Sequence, residues 1–248
     1  MSGQSLAGRV ALVTGASRNI GREIARAFAR EGAAVLVHAA RDLDAAKETV
    51  AAVEAEGARG LAVVADLADP KSAAILAEAA GERFGRLDVL VNNAAIRPEA
   101  TIDDLTYEDW RQVMAVNLDS AFLVTKAVLP LLRKGEAAAI CNIGGLTGHT
   151  GAPHRAHVIA AKAGLVGLTK ALAHELSPQG ITVNCVSPGL VDTRRAGGAP
   201  KHHDSRTNLV GRRGGADEIA AAVLYLCGPG ARYVTGETLH VNGGAYLS

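Results

Sequence analysis

Val10-Ala-Leu-Val13 runs directly into Thr14-Gly-Ala-Ser-Arg-Asn-Ile-Gly21, an apolar strand pattern followed by a glycine-bearing turn. Behind the turn Ile20, Ile24 and Phe28 recur every four residues, Arg22, Glu23, Arg26 and Arg30 take the other faces, and Gly32 ends the helical period. Strand, glycine turn and helix in that order place backbone N–H groups and the positive end of a helix where a pyrophosphate can be held. Gly15 is read as the tight turn and Gly21 as the point where helix and strand approach closely; Ser17, Arg18, Asn19 and Ile20 complete the phosphate-facing segment.

Outward from this unit the same rhythm repeats. Short apolar runs at 34–37, 61–64, 89–91, 140–143, 181–186 and 239–241 alternate with helical patterns at about 43–56, 71–84, 107–133, 158–177 and 217–226. Strands alternating with helices predict a doubly wound, seven-stranded parallel sheet with helices on both faces, an α/β Rossmann fold forming a single domain over 1–248. The stretch 193–215 is rich in Arg, Gly, His and Pro and lacks either period. It reads as a mobile substrate loop at the carboxyl end of the sixth strand, where doubly wound sheets bind ligands.

Composition narrows the function classes. Of 248 residues 48% are hydrophobic and 21% charged, which is globular and not disordered; a formal charge of +1 provides no overall field for nucleic acid or an anionic membrane. The start of the chain lacks the basic and apolar pattern of a secretory leader, and apolar runs are expected to break before the ~18 residues of a membrane span. Cys141, Cys185 and Cys227 are odd in number and widely spaced, so they read as core residues in a reducing cytoplasm and not as disulfides or metal ligands.

Five segments in register resemble the short-chain dehydrogenase/reductase family, in particular its classical, 3-oxoacyl-carrier-protein-reductase-like members, and the resemblance covers nearly the whole chain. Thr14 to Gly21 is similar to the family pattern Thr-Gly-x-x-x-Gly-x-Gly, with Asn19 where the middle Gly belongs; Asn tolerates a positive φ better than most residues. Asp66 and Leu67 in Ala-Asp-Leu look like the adenine-contacting segment. Asn92-Asn-Ala-Ala95, carrying Asn93 and Ala94, resembles the family's Asn-Asn-Ala-Gly. Pro188-Gly-Leu-Val-Asp-Thr193 is similar to the segment that touches the nicotinamide carboxamide, which puts Pro188, Gly189, Val191 and Thr193 at the cofactor, and Gly236 to Gly244 resembles the closing strand. The resemblance implies an NAD(P)-dependent oxidoreductase acting on a small molecule, and a homotetramer assembled through the helices at 107–133 and 158–177, with Phe122, Leu165 and Leu168 serving that interface or the monomer core. The second strand ends in His38-Ala-Ala-Arg41 instead of the acid that holds the ribose of NAD, and Arg18 lies in the turn. Two cations favour NADP, with NAD as the alternative through Asp42.

The same resemblance exposes what is missing. The family's chemistry rests on a Ser, a Tyr and a Lys, the Tyr four residues before the Lys on one helix face. Lys162 matches the Lys, but Val158 stands at the Tyr position and Gly145 at the Ser position. General acid catalysis typically contributes 10²–10⁴-fold, so ordinary ketone reduction should be impaired. Lys162 and Asn117, the latter implied to support the proton relay, remain. His157, next to Val158, is read as the replacement acid/base, although it points ~100° away from the Val158–Lys162 face if the helix has already begun; His149 and His154 rank behind it. Arg97, Arg155 and the loop's Arg194, Arg195, Lys201, His202, His203, Arg206, Arg212 and Arg213 suggest an anionic substrate. Two other readings stay open: an isomerase, lyase or hydrolase on the same scaffold, and a non-catalytic nucleotide binder or inactive partner of a paralogue.

Overall fold

Seven strands form one parallel sheet in the order β3-β2-β1-β4-β5-β6-β7: β1 Val10–Val13, β2 Ala34–Ala39, β3 Gly60–Val64, β4 Val89–Asn92, β5 Ala139–Ile143, β6 Thr182–Pro188 and β7 Thr238–Val241. The computed structural model describes residues 4–193 and 208–248. Every residue of β1, β2, β4, β5 and β6 is buried, as expected of strands covered on both faces. Because side chains alternate, β1 sends Ala11 and Val13 into one core with Ile24, Phe28 and Val223, and Val10 and Leu12 into another with Leu76, Leu90 and Val124.

The first core lies under α1 (Asn19–Arg30), α2 (Leu43–Ala55) and α8 (Ala216–Cys227); the second lies under α3 (Ser72–Phe84), α5 (Ser120–Leu132) and α7 (Ala156–Leu176). Asp88 ties three strands together from a fully buried position. Its carboxylate accepts from the Val10 N–H at 2.8 Å, the Glu136 N–H at 2.7 Å and Arg86 at 2.8 and 3.1 Å, so the charge is both paired and hydrogen-bonded.

Two helices depart from their expected course. The pattern at 107–133 is not one helix: α4 (Tyr107–Met114) passes through a π-helical turn, Ala115–Asp119, before α5. Ser120 Oγ donates to the Val116 carbonyl at 2.6 Å, and the Asn117 amide is drawn aside to Ile96, so local side-chain bonds compete with the regular ladder there. The second departure is α7, which starts at Ala156, two residues before the expected 158, and thereby takes His157 into its first turn.

The apolar runs also need correcting. The helical segments Tyr107–Leu132 and Ala156–Gln179 are long and apolar enough to cross a membrane by length and composition alone. They lie along the sheet, where their apolar residues fill the second core and the cluster around Val113 and Val158. Leu165 is 1% exposed and belongs to the monomer interior, whereas Phe122 is 47% exposed on α5. Of the expected loop 193–215, residues 194–207 lie outside the described residues; 208–215 is a turn held by Asn208, with Gly214 bridging to Val191.

Candidate nucleotide and catalytic site

Strand order reverses between β1 and β4, and the crevice at their carboxyl ends is where an open parallel sheet accepts a ligand. The turn after β1 is laced to the segment after β4. Thr14 Oγ1 accepts from the Asn93 and Ala94 N–H groups at 2.9 and 3.0 Å, and Asn93 Nδ2 donates to the Thr14 and Gly15 carbonyls at 2.8 and 2.9 Å. Gly15 has φ +62°, and a Cβ there would lie 2.8 Å from Ala94 Cα; a Cβ on Gly21 would sit 2.6 Å from Asn93 Nδ2 and collide with the Gly15 carbonyl. Asn19 adopts φ +51°, the left-handed conformation that a glycine would otherwise supply.

Two further supports of this turn were not anticipated from sequence. His38 Nδ1 accepts from the Gly15 N–H at 3.0 Å, which leaves the ring proton on Nε2 to donate to the Ala65 carbonyl at 2.8 Å. Burial pushes the His38 pKa down and favours this neutral ring. Arg22 donates to the Ser17 carbonyl at 2.6 and 3.1 Å and reaches Thr49 and Glu48 on α2. The only signal in the sequence was a histidine at a strand end, which by itself does not say what it bonds.

On the adenosine side Arg18, the residue before α1, is exposed, and Arg41 follows β2 with its guanidinium 3.1 Å from Asp66. The Ala68 N–H and Arg41 together hold the Asp66 carboxyl below the usual carboxylate range, and Leu67 beside it is buried. Asp42, the alternative partner for a ribose, instead accepts from the Ala45 N–H at 2.9 Å as the cap of α2.

A cavity of about 70 Å³ lies beside the crevice. Its wall includes Ile20, Pro188, Gly189, Val191 and Thr193 together with Arg97, Gly145, Thr147, Arg155, Val158 and Lys162. Val158 and Lys162 share a face of α7, as their spacing requires, and a Cβ added to Gly145 would find Lys162 Cγ at 4.0 Å as its nearest neighbour. Lys162 is buried and donates to the Ile143 carbonyl at 2.6 Å. Burial first, and the Arg97 charge second, push its pKa down to about 7. Arg155 is buried and spends its guanidinium on Glu99 at 2.7 and 2.9 Å.

The three residues expected to carry catalysis are not brought together on this wall. Only Lys162 lines it. Asn117 is buried with both ends of its amide on Ile96, at 2.8 and 2.9 Å. His157, already inside α7, is fully buried away from the cavity wall, and burial pushes its pKa down against the opposing pull of Asp109. His149 stacks with Tyr246 and meets His240 edge-on at 4.6 Å, again off the wall, and His154 is exposed at φ +59°. None of the four tyrosines lines the cavity; Tyr107 and Tyr233 are on the surface. Thr147, which sequence reasoning passed over, is on the wall, because the short helix α6 (Thr147–Thr150) turns it back from the end of β5. Arg212 pairs with Glu218 at 2.7 Å through both guanidinium nitrogens, while Arg194, Arg195, Lys201, His202, His203 and Arg206 lie outside the described residues.

Residues 15–246 match a family model described as enoyl-(acyl carrier protein) reductase. The chain is 40% identical over 245 residues to the 3-oxoacyl-[acyl-carrier-protein] reductase FabG of Escherichia coli, covering 97% of this chain and 98% of that protein. The chain belongs to the short-chain dehydrogenase/reductase family. A short-chain dehydrogenase from Burkholderia cenocepacia, solved in complex with NADP, superposes with a TM-score of 0.92 at 37% identity, covering 97% of this chain and 99% of that one. An angucycline C-6 ketoreductase, LanV, solved with bound NADP, superposes with a TM-score of 0.91 at 31% identity, covering 98% of each chain. In this short-chain dehydrogenase/reductase the Rossmann sheet and the crevice at its switch point are those of the family.

Proposed function

We propose that this chain is an NADP(H)-binding oxidoreductase of small carbonyl or alcohol substrates in which Lys162 itself transfers the proton, because Val158 and Gly145 replace the family's Tyr and Ser. The observation that carries this reading is that Lys162, with a pKa of about 7, is the one cavity-lining side chain poised near neutrality, among the described residues.

The chain fits the cofactor in three ways. Gly15 and Gly21 leave no room for a Cβ, Asn19 completes the turn in the left-handed region, and the start of α1 offers N–H groups to a pyrophosphate. Arg18 and Arg41 would hold a 2′-phosphate, Asp66 with Leu67 would flank adenine, and Asn93, Ala94, Pro188, Gly189, Val191 and Thr193 would bound the ring end. A nicotinamide held there would supply or accept the hydride. Lys162 has three N–H groups when charged and gives one to Ile143. It hands a proton to a developing alkoxide below about pH 7 and, as a neutral amine, removes one from an alcohol above it. Thr147 offers a hydroxyl on the same wall, and Asn117 holds the segment that carries Arg97.

The free, buried Cys141, Cys185 and Cys227 support a cytoplasmic location. Exposed Phe122 on α5 supports assembly, which we take to be a homotetramer. The test combines NADPH fluorescence titration with turnover across a carbonyl panel from about pH 5 to about pH 9, roughly two pH units on either side of the Lys162 midpoint. Reduction should fall as pH rises through about 7, and Lys162→Met should abolish single turnover at saturating NADPH. NADPH binding with no turnover on any substrate would shift the chain to the non-catalytic reading; a Lys162→Met variant that still turns over would remove Lys162 as the proton donor.

A further inference from the structure

Two successive peptide planes of the glycine turn are held at both ends. The Thr14 carbonyl accepts from Asn93 Nδ2 at 2.8 Å, while the N–H of the same plane, on Gly15, donates to His38 Nδ1 at 3.0 Å. In the next plane the Gly15 carbonyl accepts from Asn93 Nδ2 at 2.9 Å, and the Ala16 N–H donates to the His38 carbonyl at 2.8 Å. Asn93 from the β4 side and His38 from the β2 side thus fix the planes from which the chain leaves toward α1. Gly15, at φ +62°, has wide backbone freedom, so without these anchors the planes would turn easily. Of the anchoring groups only the His38 ring titrates near neutrality. It is 1% exposed, and its other nitrogen donates to the Ala65 carbonyl at 2.8 Å, so the ring cannot swing to water without giving up that bond as well.

We propose that His38 is a positioning residue for the dinucleotide: its neutral imidazole holds the Thr14–Gly15 peptide plane so that the N–H groups beyond it meet the pyrophosphate, and taking up a proton loosens the turn and weakens cofactor binding. This rests on the glycine turn being the pyrophosphate site proposed above. A protonated ring carries N–H on both nitrogens, so at Gly15 a donor would face a donor. The charged groups around the ring are few. The end of β3 brings Asp66, which favours the proton but is paired with Arg41 at 3.1 Å. The turn brings the exposed Arg18, α1 brings Arg22, which is engaged by the Ser17 carbonyl and Glu48, and the segment after β4 brings the uncharged Asn93 and Ala94. Burial outweighs Asp66 and keeps the ring neutral. Cofactor affinity is therefore full above about pH 6.5 and falls as pH drops through the lower pKa of the clamped ring. By reciprocity, bound NADPH should push that pKa lower still.

The test is NADPH fluorescence titration of the full-length protein from about pH 5 to about pH 8, with the fold checked by circular dichroism at each pH. The comparison is His38→Gln, whose amide can accept from Gly15 and donate to Ala65 but takes up no proton. At pH 8 His38→Gln should bind NADPH within about twofold of wild type, and His38→Leu about fivefold or more weakly, the loss of one hydrogen bond. Toward pH 5 wild type should weaken at least about threefold relative to His38→Gln; titration of the 2′-phosphate, with its second pKa of about 6, is common to both and cancels. A ratio that stays flat with pH would overturn the proposal and leave the cofactor reading intact. So would a His38 ring pKa, followed by NMR, that NADPH leaves unchanged or raises. Wild type that binds no NADPH at pH 8 would instead sink the cofactor reading, and the role of His38 with it.

Discussion

Restoring the two missing side chains is the most direct test of the altered site. In Gly145→Ser the new Cβ meets nothing closer than Lys162 Cγ at 4.0 Å, ordinary van der Waals distance, so a serine fits without displacement. Val158→Tyr is more demanding. Val158 is 2% exposed and packs with Val113 and Ala161, but it also borders the cavity, into which a phenol can extend toward Lys162. Overpacking of this kind costs about 1–3 kcal/mol, which a folded domain of this size tolerates. Against that, a positioned general acid contributes 10²–10⁴-fold, equivalent to about 2.7–5.4 kcal/mol of barrier at 1.36 kcal/mol per decade. The double variant should therefore reduce simple ketones, followed by loss of NADPH absorbance, at least 100-fold faster than wild type, with each single variant gaining far less because serine and tyrosine act as a unit. A double variant that is folded and binds NADPH yet shows no gain would refute the claim that Val158 and Gly145 are what separates this site from an ordinary reductase.

Other expectations follow from the same geometry. Arg41→Ala should weaken NADPH binding by about 10- to 100-fold while leaving NADH nearly unaffected, by fluorescence titration; equal losses for both would remove Arg41 from the 2′-phosphate. Asp88→Ala should destabilise the fold by about 1–3 kcal/mol in urea denaturation, since it leaves the buried Val10 N–H without an acceptor and takes a partner from Arg86 and the Glu136 N–H. His38 has a folded pKa below its unfolded value of 6.5, so the unfolded chain binds the proton first and stability should decline as pH falls below 6.5. His149, His157 and His240 are shifted the same way, so His38→Gln should remove one part of that decline in thermal melts between pH 7 and 5, and an unchanged slope would argue against the neutral ring at Gly15.

How far the sequence could be read differs between the sheet and the site. The strands were placed within about two residues because apolar runs of four to seven residues can only be buried between helical layers, and the glycine turn was legible because few residues accept the conformation at Gly15 and Asn19. The π turn at Ala115–Asp119, beside which the Asn117 and Ser120 side chains bond to backbone groups, left no trace in the hydrophobic period. His157 was read as a candidate acid because sequence proximity to Val158 cannot say which way a ring faces. Once α7 begins at Ala156, one residue's rotation of ~100° takes it off the cavity wall.

By its order of residues alone this protein determines a parallel sheet, a dinucleotide turn and the absence of a phenol four positions before Lys162, because each of these is a matter of period, spacing or residue type. Tertiary structure alone decides that His38 braces Gly15, that Thr147 turns back to the cavity and that burial beside Arg97 brings Lys162 to about 7. Those outcomes depend on groups up to 65 positions apart in the chain, Arg97 and Lys162, meeting in a low-dielectric space, and no local pattern encodes such a meeting.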